Sequence, residues 1–113
     1  MKQRLYIDTS VFGGHYDVEF AEFTIPLFER LKNGEFTLLF SSVTQDELEN
    51  APQKVRDLEI SLPQDNVEWL DITAQSVQLA DKYIDDKVVG QTSHSDCIHI
   101  ALATLNNADV LVS

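Results

Sequence analysis

The sequence predicts an α/β fold, a three-layer α/β/α arrangement with a mostly parallel central sheet. Two observations carry this. Short apolar runs at residues 5–7, 36–40, 67–70 and 110–112 are bounded by polar residues, as buried strands are. Between them lie longer segments whose apolar residues recur at helical spacing, and strand alternating with helix from end to end implies a parallel sheet covered on both faces. Chain chirality makes the crossovers right-handed. The 113 residues are 43% apolar, enough for one domain with a real core.

Leu5-Tyr6-Ile7 forms the first apolar pulse and ends abruptly on Asp8-Thr9-Ser10. Open parallel sheets bind ligands outside the carboxyl ends of their strands, so Asp8 stands where the first carboxylate of a metal site would stand. The plainer reading of Asp8 is a turn cap, since acids are common there. Gly13-Gly14 reads as a loop or turn. From Glu19 to Asn33, Phe20, Phe23, Leu27, Phe28 and Leu31 recur at helical spacing. Proline is tolerated near a helix start, so Pro26 predicts a break or first turn near Thr24-Ile25, and Asn33-Gly34 is a C-terminal stop. Phe36 to Phe40 is the second strand, ending at Ser41-Ser42.

Ser42 opens a helix with Asp46 and Glu47 in its early turns, where negative charge suits the helix dipole. Ala51-Pro52 breaks it, and a second helical piece runs through Val55, Leu58, Ile60 and Leu62. Val67 to Leu70 is a short third strand. Thr73 caps a helix carrying Val77, Ala80, Ile84 and Val88 along one face, and Gly90 ends it. Ser95 caps the last helix, whose main buried stripe is Ile98, Ala101, Leu102 and Leu105. Cys97 and Ile100 add apolar surface elsewhere, so this helix is buried on more than one side. Asn106-Asn107 ends it, and Val110-Leu111-Val112 is the final strand. Stopping on a strand is consistent both with a terminal sheet element and with a chain cut short. Trp69 and the phenylalanines sit inside periodic apolar patterns and are read as core, not as base-stacking platforms.

Composition constrains function. Nineteen acids against eight bases give a net charge of −11, awkward for a nucleic-acid partner, because affinity for phosphates comes largely from Lys and Arg. Bound divalent cations partly reconcile the two by changing the local sign. The single cysteine, Cys97, excludes an internal disulfide and a thiolate cluster. No stretch approaches the roughly 18 apolar residues of a membrane span, and Met1 to Arg4 is not followed by a secretory apolar region, so the expected location is cytoplasmic.

Three acids occupy comparable places: Asp8 after the first strand, Glu47 in the helix after the second, and Asp96 at the start of the helix before the last. Carboxylates brought within about 4 Å repel by roughly 4 kcal/mol per pair at an effective dielectric of 20. A divalent cation relieves this, and oxygen-only ligation suits Mg²⁺ or Mn²⁺. Asp46 and Glu49 read as solvated helix-face acids, as do Asp81, Asp85 and Asp86. His99 lies three residues beyond Asp96 on the same face, so it either approaches the site or is packed and hydrogen-bonded. His15 and His94 are loop residues with no assignable partner.

Ile7-Asp8-Thr9-Ser10, then Ser42 to Leu48, then Thr92 to Ala103 with the following Ala108 to Ser113, resemble the PIN domain, in order and over nearly the whole chain. The closest kind looks like the bacterial VapC-type toxin ribonucleases and their unpaired relatives. The resemblance implies a single PIN-like domain over residues 1–113 that acts as a Mg²⁺- or Mn²⁺-dependent endoribonuclease on RNA phosphodiesters. Asp8, Glu47 and Asp96 would be the catalytic acids and metal ligands, with the Ser10 hydroxyl supporting Asp8. A fourth acid, present in many members, would fall just past Ser113, so the domain as given would lack its C-terminal end. The family also implies an antitoxin protein partner and a homodimer. The alternative is a catalytically silent PIN-like interaction domain, which the acidity favours. A phosphoacceptor receiver domain would want paired acids after the first strand and a late lysine, whereas Asp8 is single and no such lysine follows.

Overall fold

In the computed structural model of the chain, which describes residues 2–14, 19–85 and 94–112, each of the four apolar runs is a strand. The elements are β1 (Gln3–Ile7), α1 (Thr9–Gly14), α2 (Ala21–Lys32), β2 (Phe36–Ser41), α3 (Ser42–Glu49), α4 (Gln53–Ile60), β3 (Val67–Leu70), α5 (Ala74–Asp85), α6 (His94–Leu105) and β4 (Val110–Val112), with a 3₁₀ turn at Gln64–Asn66. All three strand pairings are parallel, in the order β3-β2-β1-β4. Leu5 lies opposite Leu38 on one side and Val110 on the other. The expected central β1 is therefore present, and the strand order reverses beside it.

Side-chain alternation along each strand divides the core in two. Leu5 and Ile7 of β1, with Phe36, Leu38 and Phe40 of β2, pack under α1, α2 and α4. Tyr6 and Leu39 point the other way and pack with Ala80, Cys97, Ala101 and Leu102 of α5 and α6. The helix α3 gives Val43 to the second cluster and Leu48 to the first, so it lies across the boundary between them. Two backbone contacts hold β4 against β1 at either end: Asp109 N–H donates to Arg4 O (2.8 Å), and Asp8 N–H donates to Val112 O (2.9 Å). Arg4 extends this join. Its guanidinium donates to Asn106 O at 2.7 Å and pairs with Glu68 at 2.7 Å, linking the end of α6 to β3 across the sheet.

Local signals explain most boundaries. Gly34 at φ +76° ends α2, with Glu35 N–H on Arg30 O and Gly34 N–H on Leu31 O, the paired bonds of a Schellman motif. Ser41 Oγ accepts the Thr44 N–H and caps α3. Thr73 Oγ1 accepts the Ser76 N–H while Ser76 Oγ accepts the Thr73 N–H, a reciprocal cap on α5.

Several expectations are corrected. Gly13 and Gly14 are helical, not a loop. Pro26 lies inside α2, which starts at Ala21, so the helix tolerates one missing N–H beyond its first turn. α6 begins at His94, one residue before the expected cap at Ser95. Phe20, Phe23, Ile60, Trp69, Ile84 and Leu105 are exposed: Trp69 lies on the outer strand β3 at 46% and Phe23 reaches 75%. The expectations for His15, Asp86, Val88 and Gly90 fall outside the described residues. No helix among the described residues is long and apolar enough to cross a membrane.

Candidate metal centre

The reversal of strand order beside β1 leaves a crevice at the carboxyl ends of β1 and β4, where such folds bind ligands. A cavity of about 700 Å³ opens there. Asp8, Thr9 and Ser10 line it from the β1–α1 junction, Glu47 from α3, Asp96 and His99 from α6, and Ile100 and Leu111 supply apolar wall. Asp8 is half-buried and its carbonyl accepts the Val11 N–H at 3.0 Å, so it also starts α1. Asp8 thus begins the helix through its backbone carbonyl while the residue lines the cavity. Glu47 lies three residues past the buried Thr44 and faces the cavity, whereas Asp46 is exposed outside it. Asp96 and Ser10 are exposed at the cavity wall.

His99 sits at the base, 2% exposed. Its Nε2 is 2.6 Å from Glu47 Oε1 and 3.7 Å from Asp8 Oδ1. One donor atom from each of Asp8, Glu47 and His99 lies within 4.8 Å of the others. Thr9 Oγ1 donates to the same Glu47 Oε1 at 3.1 Å. Behind the imidazole, Nδ1 is 2.5 Å from the hydroxyl of Tyr6, which is 2.8 Å from Ser41 Oγ, which is 3.1 Å from Thr44 Oγ1. Burial pushes the Tyr6 phenol up to about 12, the charges of Asp8 and Glu47 add to this, and the Ser41 and Thr44 hydroxyls oppose it. Outside the cavity, His94 Nε2 meets Asp81 Oδ1 at 2.9 Å and joins α6 to α5, so it has the partner that the sequence did not assign.

The three acids singled out from sequence thus surround one cavity. Sequence reasoning passed over Tyr6, Thr9, Ser41 and Thr44 and left His99 between two readings. The detectable signal was Tyr6 itself, a phenol in an apolar strand that needs a partner for its hydroxyl once buried.

The PIN domain family model matches residues 5–113. The chain belongs to the PIN domain family. Among solved structures, VapC20 of Mycobacterium tuberculosis, described as a sarcin-ricin loop cleaving toxin, superposes with a TM-score of 0.69 at 13% identity, covering 95% of this chain and 86% of that one. VapBC2 from Rickettsia felis, bound to a DNA fragment from their promoter, gives 0.64 at 14% identity, covering 96% and 86%. At such identities the likeness is one of fold. No curated protein matches the sequence.

The donor set of this PIN domain suits a hard divalent cation. Three carboxylates line the cavity, and no lysine or arginine is among the described residues around it. Asp8, Glu47 and His99 each bring a donor atom within 4.8 Å of the others and could hold a metal ion, while Asp96 lines the cavity outside that group.

Proposed function

We propose that this PIN domain is a divalent-metal-dependent endoribonuclease of VapC-like type, hydrolysing RNA phosphodiesters with Mg²⁺ or Mn²⁺ held by Asp8, Glu47 and Asp96. One observation carries the reading: acids from three distant parts of the chain line one cavity, at the strand-order reversal. The fold likeness to VapC20, described as cleaving the sarcin-ricin loop, supports a nucleic acid as substrate. The likeness to VapBC2 supports an antitoxin partner, and homodimer formation and a cytoplasmic location belong to the same proposal.

The bound ion would supply positive charge to the phosphate and lower the pKa of water, which makes hydrolysis feasible at neutral pH. The chain's own residues do the rest. Asp8 and Glu47 would set the position of that charge, with Asp96 on the wall of the same cavity. Thr9 and His99 fix Glu47 by bonding a single carboxylate oxygen. Ser10, next but one to Asp8 on the same cavity wall, would support it or meet a phosphate oxygen. Ile100 and Leu111 present an apolar wall beside the acids, where a ribose or base edge can lie.

The test is Asp8→Asn. Asn keeps the shape and removes the charge that holds a hard cation. Mn²⁺-dependent cleavage of single-stranded RNA should fall to background while the fold persists. The metal-free variant should melt no lower than the wild type, because carboxylate repulsion is relieved. Equal cleavage by both proteins would place the activity elsewhere. The net charge of −11 favours a second reading, a silent interaction domain. No cleavage by either protein, and no metal-induced rise in melting temperature, would establish that one.

A further inference from the structure

Among the apolar side chains packed between the sheet, α5 and α6 runs a line of buried polar groups. Tyr6 and Ser41 are wholly buried, and Thr44 and His99 are 1% and 2% exposed. They form a continuous chain of hydrogen bonds that ends on Glu47. We propose that His99 is a positioning residue rather than a nitrogen ligand: it donates its Nε2 proton to Glu47, in a tautomer set by Tyr6, and so holds that carboxylate for the cation.

The direction of the chain follows from counting protons. The Thr44 backbone N–H can only donate, and it donates to Ser41 Oγ at 3.1 Å. A carboxylate can only accept, and Glu47 closes the other end. With the Tyr6 O–H given to Nδ1, the neutral ring carries its proton on Nε2, aimed at Glu47 Oε1 at 2.6 Å. Ser41 then gives its proton to the Tyr6 oxygen, and every donor meets an acceptor. The opposite direction turns the Tyr6 proton toward Ser41 and puts the ring proton on Nδ1. With a neutral ring, that leaves two lone pairs face to face at 2.6 Å, or else a neutral Glu47 that could not hold a cation; a doubly protonated ring would donate to both partners and still give its Nε2 proton to Glu47.

Geometry points the same way. Two ligands on adjacent corners of a Mg²⁺ octahedron stand about 3 Å apart, from metal–oxygen distances of roughly 2.1 Å. Nε2 and Oε1 are closer than that, at a charge-assisted hydrogen-bond distance. The Thr9 hydroxyl donates to the same Oε1. Oε1 is thus committed to the protein, and Oε2 is left for the ion. His99 acts through a proton that it keeps, so no change in its charge is involved.

The consequence for the metal rests on reading Glu47 as a ligand, but the hydrogen bond does not, and one experiment separates the two. In the full chain with ¹⁵N-labelled histidine, His99 is assigned by its loss in His99→Gln. Its Nε2 should be protonated and its Nδ1 bare, in chelator and after addition of Mg²⁺ alike. A bare Nε2 in chelator, a proton on Nδ1, or an Nε2 proton lost on adding Mg²⁺ would overturn the proposal. Mn²⁺ affinity is measured alongside, by paramagnetic resonance of the free ion. His99→Leu, which keeps bulk without a donor, should weaken Mn²⁺ binding about 10- to 100-fold, the usual effect of losing a group that orients a ligand. His99→Gln should restore most of it, because its amide N–H can replace Nε2–H. Unchanged affinity in both variants would reduce His99 to core packing and overturn the proposal. Should His99→Leu not fold, the spectrum and the Gln variant decide. A wild type that binds no Mn²⁺ would sink the metal reading, while the imidazole spectrum would still decide the hydrogen bond.

Discussion

Tyr6 combines two demands in a single residue. Its ring fills the α6 side of the core, and its hydroxyl continues the polar chain behind the acids. Its phenol is pushed from 10.0 to about 12, first by burial and then by the charges of Asp8 and Glu47. A folded state that keeps its proton longer than the unfolded chain is favoured below pH 10 and loses that advantage as pH rises from 10 to 12. A two-unit difference corresponds to about 3 kcal/mol at full extent. In chelator, wild-type stability from urea unfolding should therefore fall through this window. Tyr6→Phe should start about 1 kcal/mol lower at neutral pH, for its lost hydrogen bonds, and then fall less. Parallel losses in the two proteins would mean that Tyr6 is not the group concerned. The three acids could be singled out in the sequence because Asp8 ends an apolar strand and the stretches around Glu47 and Asp96 resemble the PIN domain. The chain behind them was not legible. Tyr6 reads as an ordinary strand aromatic, and its partners lie 35 and 93 residues away. Only the folded register of β1 between β2 and α6 brings them together.

At the scale of elements, Gly13 and Gly14 behave differently although they are adjacent and both helical. A Cβ on Gly13 would meet nothing within 4 Å. A Cβ on Gly14 would meet Thr24 Cγ2 at 3.3 Å and Phe20 Cβ at 3.4 Å, because α1 and α2 cross closely there. Gly13→Ala should stabilise by about 0.5–1 kcal/mol, through a less free unfolded chain and better helix propensity. Gly14→Val should destabilise by about 1–3 kcal/mol by forcing the helices apart. Equal melting temperatures for the two variants would contradict this account of the crossing. Glycine's local preference is for turns, which is why the pair reads as a loop; the close approach of two helices overrides that preference. Pro26 is the same kind of conflict, with the packing of Phe28 and Leu31 carrying α2 through it. The exposed Phe23, Trp69 and Leu105 have a different cause. Periodicity marks which residues share a face, but not whether anything covers that face. Strands and helices were legible because burial on both sides of the sheet writes continuous apolar runs.

The chain as a whole builds its first three strands outward from β1 with helices on one face, then returns along the other face to place β4 on β1's free side. That single reversal creates the crevice, and it gathers acids in a molecule already at −11. Two kinds of cation effect must therefore be told apart. Monovalent salt screens the whole negative surface and should raise the melting temperature gradually. A site ion binds the folded state alone and stabilises it by RT ln(1 + [L]/Kd), about 1.4 kcal/mol at ten times Kd. For a domain of this size that is a rise of roughly 4–8 °C. Mg²⁺ should therefore raise the melting temperature beyond NaCl at matched ionic strength, and the surplus should saturate. Asp8→Asn should lose most of the surplus yet respond to NaCl as the wild type does, because it removes a ligand and only one charge from the total. Identical curves for Mg²⁺ and NaCl at matched ionic strength would mean that the acids around the crevice are a diffuse negative surface and not a binding site.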